Sequence, residues 1–427
     1  MNEKLLSFIE KSPSCFHVIA NLKDMLSWEG FSELQEKDDW TIAPGGKYYV
    51  IRNDSSIIAF QIPAGKAEGF HMAASHSDSP AFKVKENPET FAEKAYVRLN
   101  TEKYGGMILS TWLDRPLSVA GRVAVLEDGQ VVTKLVNVDK DLLVIPNLAI
   151  HMNRDINKGV EYNPQVDMLP LYGCCRQEEQ GMLLQEIGEC LGVEADEILG
   201  HDLFLYVRDR GRILGHEGEF ILSPKLDDLQ CVFSSMEAFA VSSPEKFISL
   251  CAVFDNEEVG SGTRQGADST FLEDVMLRIC SSLAEQYGAK SADLLMKQMA
   301  AESFLISADN AHAVHPNHPE KADPTNRPLL NGGIVIKYHG SQKYTTDAVS
   351  AAWMKDLCNR AGVPWQTYAN RSDIAGGSTL GNISTAHVSV ASVDIGLPQL
   401  AMHSAVETAG SLDTEYAVKV FRVFFAE

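Results

Sequence analysis

One stretch constrains this chain more than any other. Phe247-Ile248-Ser249-Leu250-Cys251-Ala252-Val253 is an apolar run, and Phe254-Asp255-Asn256-Glu257-Glu258-Val259-Gly260-Ser261 follows it at once. An uninterrupted run of this length reads as a strand buried on both faces, the kind found in parallel sheets. The chain therefore leaves a hydrophobic core and immediately presents two adjacent glutamates before a Gly-Ser-Gly turn. In open α/β sheets, ligands bind beyond the carboxyl ends of such strands. Neighbouring glutamates repel one another, so a metal, a base role or plain solvent must keep them there. An isolated Glu-Glu pair is most often a solvated turn, and the rest of the chain has to decide between these readings.

The same pattern recurs. Gly69-Phe70-His71-Met72-Ala73-Ala74-Ser75 runs into His76-Ser77-Asp78-Ser79-Pro80, and Phe220-Ile221-Leu222 leads to Pro224-Lys225-Leu226-Asp227-Asp228. Phe304-Leu305-Ile306-Ser307-Ala308 ends in Asp309-Asn310-Ala311-His312, and Val388–Asp394 is followed by His403-Ser404-Ala405-Val406-Glu407. Helical patterns alternate with these strands: one opening at Ser14, one near Ser269–Tyr287, one over Asp347–Ala361, and one that Asp413 can cap, running through Phe421. This alternation predicts an α/β fold with a mixed, mostly parallel sheet flanked by helices. Between about Glu86 and Glu217 short β-like segments dominate, with one helix near Met182–Leu191. That stretch reads as an insertion, giving a division into 1–86, 87–216 and 217–427, with the outer two forming one domain.

The formal net charge of −21 argues against nucleic acid or an anionic membrane as partner, because both select a basic face. The eight cysteines show no CxxC spacing, and several lie in apolar contexts. Free thiols in a reducing compartment follow from that. Met1-Asn2-Glu3-Lys4-Leu5-Leu6 has neither a long apolar core nor a cleavage signature, and no apolar run is long enough to span a bilayer. These features together predict a cytoplasmic protein.

The strand ends collect His76, Asp227, Glu257, Glu258 and Asp309, with His403 close behind another strand. Imidazole and carboxylate in this ratio suit Zn²⁺, with Mn²⁺ or Co²⁺ as substitutes. Two histidines and three carboxylates exceed the needs of one open catalytic zinc. They suit a metal pair sharing one carboxylate, with a further carboxylate left to take a proton from water.

Taken in order, the segments at His76–Pro80, Lys225–Asp228, Asp255–Ser261, Ser307–Asn317 and Met402–Ser404 resemble the aspartyl aminopeptidase family of di-zinc metallo-aminopeptidases, and Ser12–His17 is similar as well. The resemblance covers essentially the whole chain. It implies a co-catalytic zinc exopeptidase core with an inserted β-rich dimerisation and lid domain, and two Zn²⁺ per subunit. Asp227 would bridge them, His76 and Asp309 would complete one site, and Glu258 and His403 the other. Glu257 would be the general base, and Asp78 would orient His76.

It further implies hydrolysis of the N-terminal bond of peptides, with a preference for Asp or Glu at that end. Dimers would build a dodecamer in which His151 reaches a neighbouring site. Lys337 and Lys343 are candidates to meet an acidic side chain. His312 and His315 are open between substrate contact and a structural role, and His17, His71, His201 and His216 are read as structural. Three departures stand out: Asn256 where His is expected, Asp228 in place of Asn, and Asn382 ending the loop Gly376–Gly381. Competing readings are a neutral or broad-specificity aminopeptidase, a co-catalytic deacylase or carboxypeptidase, and a non-catalytic self-assembling shell.

Overall fold

The structure, a computed structural model, describes residues 1–175, 180–377 and 379–427. It is a mixed α/β fold with three sheets. The largest has nine strands, and its middle four, Ile248–Phe254, Phe70–His76, Phe304–Ala308 and Ala391–Gly396, pair in parallel in that spatial order. Antiparallel partners flank this centre: Ser56–Gln61 on one side and Ile334–Tyr338 on the other. Every residue of Ile248–Phe254 and Phe70–His76 is buried, in keeping with their largely apolar character.

Alternate side chains of these strands enter two separate cores. Ala73, Cys251, Val253 and Ile306 face helices Cys15–Trp28, Leu226–Val241, Ala348–Ala361 and Asp413–Ala426. Met72, Ala74, Leu250, Ala252 and Leu305 face helices Phe271–Leu283 and Ala292–Ala301. With both faces covered, the carboxyl ends of the parallel strands are where this sheet opens to a ligand.

A six-stranded antiparallel sheet forms from Ala81–Ala92, Tyr96–Tyr104, Leu117–Glu127, Gln130–Asn137, Leu171–Cys174 and Ile198–Val207. It packs its own core around Phe82, Leu99, Trp112 and Leu203, with helix Met182–Leu191 against it. Its first strand runs straight across the expected boundary at 86/87. A third sheet, of short strands, joins Phe220–Ser223, Glu407–Gly410, Pro398–Leu400 and Ala311–His312. It shapes the loop that carries His403.

Some local expectations shift. Asp413 does not cap the last helix; it is that helix's first residue. Its carboxylate accepts the N–H groups of Asn331 at 2.7 Å and Gly333 at 3.0 Å, tying a distant loop to the helix start. The strand expected from Val388 begins at Ala391, because Val388 ends helix Leu380–His387. The helix expected over Ser269–Tyr287 is Phe271–Leu283. All eight cysteines are free thiols: Cys15, Cys231, Cys251, Cys280 and Cys358 are buried, whereas Cys174 and Cys190 are exposed. Among the described residues no helix is long and apolar enough to cross a membrane.

Candidate active site

The parallel strands end within reach of one another. His76 is the last residue of its strand, and Asp309 follows Ala308 directly. Glu257 and Glu258 lie in a short 3-10 turn after Phe254, entered through Asn256 at φ 63°. Asp227 sits at the start of Leu226–Val241, where the backbone departs from helical geometry.

Three groups of potential ligands result: His76 with Asp227, Asp228 and Asp309; His76 with Glu257 and Glu258; and Asp227 with Glu258 and His403. Asp227 is shared in a definite way. Its Oδ1 lies 3.5 Å from His76 Nε2, and its Oδ2 lies 3.4 Å from His403 Nε2. Glu258 Oε2 is also 3.4 Å from His403 Nε2, and Asp309 Oδ1 is 3.9 Å from His76 Nε2. Most of these separations are too long for good hydrogen bonds. Four ligands at zinc bond lengths of about 2.0–2.1 Å, placed tetrahedrally, stand about 3.3–3.4 Å apart.

The imidazole tautomers are set from outside. His76 Nδ1 bonds the Asp78 carbonyl at 3.0 Å, and His403 Nδ1 bonds the carbonyl of Gly106. A carbonyl only accepts, so each Nδ1 carries a proton, and each Nε2 faces Asp227, where a cation could take its lone pair. The Asp78 carboxylate, with Oδ1 3.4 Å from His76 Nδ1, also holds the glutamate turn. Its oxygens accept the N–H of Glu257 and of Glu258, both at 3.1 Å.

The electrostatics demand compensation. Asp78, Asp227, Asp228, Glu257, Glu258, Asp309 and Glu407 crowd around two imidazoles and Lys337. Burial and its acidic neighbours push Glu257 up to about 7 and Glu407 up to about 8. Burial first, then Asp227 and other neighbours, raises Glu258 far above the carboxylate range. Burial opposes the charge of Asp227, yet His403 and His76 hold it ionised. Likewise burial disfavours the His76 imidazolium, and Asp227, Asp309 and Asp78 overcome it, so its pKa is raised. So many carboxylates at one point need protons or cations to neutralise them. Asp227 Oδ1 and Glu258 Oε1 are buried without a hydrogen-bond partner, and Asp227 Oδ1 faces His76 Nε2. The donor set therefore fits divalent cations such as zinc.

A cavity opens from this cluster. Its lining includes Asp227, Glu257, Asp309, His312, Lys337 and Tyr344. Lys337 is buried, with Nζ 3.6 Å from Asp309 Oδ2. Burial works against its charge, but Asp309 and its neighbours hold its pKa above the ordinary value. Thr379 and Gly377 of the glycine-rich loop also line the cavity. Asp394, buried beneath, binds Thr379 and Thr345 and stands 2.8 Å from where a Cβ on Gly381 would lie. Ser378 of that loop is outside the described residues.

Other expected residues stand apart. Lys343 is half-buried and outside the cavity lining, and His151 is exposed. His315 pairs with His318 in an exposed loop, whereas His312 faces Tyr368 across the cavity. Glu407 was not foreseen. Buried, it accepts the N–H of Asp227 at 3.0 Å and that of His403 at 2.8 Å. Nor was the approach of the chain just after strand Tyr96–Tyr104: Gly105, at φ 77°, would place a Cβ 3.1 Å from that of Glu258.

A family model described as aminopeptidase I zinc metalloprotease (M18) matches residues 8–425. The chain belongs to the M18 family of zinc metallo-aminopeptidases. A Clostridium novyi (strain NT) protein named "Probable M18 family aminopeptidase 2" is 49% identical over 99% of this chain and 98% of its own length. A chain from the cryo-EM structure of the Ape4 and Nbr1 complex superposes with a TM-score of 0.93 at 37% identity, covering 99% of this chain and 85% of that one. The Saccharomyces mApe1 dodecamer structure superposes at 0.86 with 28% identity, covering 99% and 95%. This M18 chain is thus a metallo-aminopeptidase throughout its length.

Proposed function

We propose that the chain is a two-zinc aminopeptidase that removes the first residue of peptides and prefers Asp or Glu there. The observation that carries this is the division of Asp227, one oxygen toward His76 and the other toward His403. His76, Asp309 and Asp227 Oδ1 would hold one ion. His403, Glu258 and Asp227 Oδ2 would hold the second. Zinc bound there supplies Lewis-acid polarisation of the scissile carbonyl and lowers the pKa of water.

The protein's own groups do the rest. Glu257 lines the cavity and is outside the proposed ligand set. It takes the proton from the attacking water and passes it to the leaving amine. Asp78 fixes the Glu257 backbone, so the base is held by its own main chain. Lys337 is the one lysine among the described residues lining the cavity, and a substrate carboxylate placed there would share its charge with Asp309.

The insert is proposed as a dimerisation and lid domain. Leu148, Ile150, Met152 and Val166 are exposed on it, and the Saccharomyces relative is a dodecamer. In such an assembly His151 of the partner subunit would approach the cavity. The unpaired thiols support a cytoplasmic location. The deciding experiment is a panel of aminoacyl-arylamides with Asp, Glu, Leu and Lys, assayed with zinc and with chelator. Asp and Glu should lead by at least about tenfold in kcat/KM, and chelation should abolish turnover. Equal rates on Leu would instead assign a broad-specificity enzyme, and cleavage of an N-acetylated peptide would exclude an aminopeptidase.

A further inference from the structure

Tyr104 ends a strand of the insert, yet its hydroxyl lies in the catalytic cluster, donating to Asp78 Oδ2 at 2.7 Å. Asn256 Nδ2 donates to the same hydroxyl at 2.8 Å. The Asn256 amide is oriented from its other end, where Oδ1 accepts Thr263 Oγ1 and Gln265 Nε2, both at 2.8 Å. With an N–H occupying the phenol oxygen, the single phenol proton is directed at Asp78. Phe204, also from the insert, meets the Tyr104 ring edge-on at 5.4 Å.

We propose that Tyr104, aimed by Asn256, is a positioning residue that carries the insert's grip through Asp78 to the Glu257–Glu258 turn, and thereby sets how tightly the site holds its cations. Asp78 is the junction. Its carboxylate takes Tyr104 and both glutamate N–H groups, and its carbonyl takes His76 Nδ1. A shift of that carboxylate moves the general base and one proposed ligand together. Burial, with Asp78 and Asp255 close by, raises the Tyr104 pKa, so the phenol remains a donor throughout the neutral range. Asn256 stands at φ 63°, a left-handed conformation that Asn, Asp and His tolerate better than most residues. The departure from histidine at this position is therefore neutral for the backbone and keeps a donor facing the phenol.

The inference rests on the two-zinc reading, and its test separates the two. Zinc dissociation constants, steady-state kinetics and unfolding of the metal-free protein are compared for the full-length wild type, Tyr104→Phe, Asn256→Asp and Asn256→His. Tyr104→Phe removes the phenol donor. Asn256→Asp keeps shape and backbone but sets a second acceptor against the phenol, drawing its proton from Asp78. Both should weaken the looser of two zinc sites about tenfold or more. Both should lower kcat more than they change KM, with the metal-free melting temperature unmoved. Asn256→His, which retains an N–H for the phenol, should keep wild-type zinc affinity. Wild-type affinity in both Tyr104→Phe and Asn256→Asp would overturn the inference and leave the two-zinc reading standing. So would affinity losses that merely track lost stability. A wild type that binds no zinc would overturn both.

Discussion

Glu407 grips Asp227 from behind: its carboxylate accepts the Asp227 backbone N–H at 3.0 Å. The same side chain takes the N–H of His403 at 2.8 Å. One buried group thus fixes the main chain under the shared carboxylate and under one imidazole. Glu407→Ala should lower zinc affinity by about 10–100-fold, measured by competition with a chromophoric chelator. Glu407→Gln, which keeps one acceptor oxygen, should fall between. Wild-type affinity in the alanine variant would show that the loop holds itself.

The adjacent glutamates should separate cleanly. Glu257→Gln is expected to reduce kcat by about 10²–10⁴-fold while both zinc ions remain, as counted by atomic absorption after dialysis. Asp227→Ala should lose metal, because it removes an oxygen from both proposed zinc sites. Equal metal loss in the two variants would reverse the roles assigned to the pair.

Zinc must compete with protons here. Burial disfavours the charged imidazoles, but Asp227 and its neighbours raise His76 and His403 above their ordinary value. A cation therefore meets stronger competition from protons at these imidazoles than at free histidines. Affinity should fall as pH is lowered, and calorimetry in buffers of different ionisation enthalpy should report net proton release near pH 7. Removing zinc should also lower the melting temperature, since the folded state alone presents the site.

His17 makes a separate pH prediction away from the metals. Burial, helped by Lys225, lowers its pKa to about 4, and its ring bonds Ser14 Oγ at 2.8 Å. The folded protein keeps His17 neutral where the unfolded chain would protonate it, near 6.5. Its contribution to stability is full above that value and is lost on acidification toward pH 4. Denaturant midpoints measured from pH 7 to 4.5 should decline less steeply in His17→Gln than in the wild type.

Lys337 carries the specificity prediction. Lys337→Met should cut kcat/KM for Asp and Glu substrates by about tenfold or more while Leu substrates change less, a loss of about 1.4 kcal/mol or more in selectivity. Because Lys337 also pairs with Asp309, zinc content should be checked alongside. A uniform loss on all substrates would make Lys337 a partner of Asp309 only.

His76, Glu258 and Asp309 were legible because each follows an apolar segment, and burial forces such segments into parallel strands with common ends; His403 instead follows a short strand of the third sheet. Glu407 and Tyr104 were not legible. Glu407 lies in a four-residue strand with no periodicity to read, and its role appears only across the 180-residue separation from Asp227. Tyr104 ends a strand of the six-stranded antiparallel sheet, whose pattern speaks only of its own core, and it meets Asn256 across 152 residues. Asp413 looked like a cap because capping is a local rule. Its carboxylate instead answers the N–H groups of a loop 80 residues away.

Diffraction at the zinc absorption edge, with data above and below it, tests the central claim most directly. Two anomalous peaks about 3.5–4 Å apart are expected, one beside His76 and one beside His403, with Asp227 between them. A single peak, or peaks away from Asp227, would contradict it.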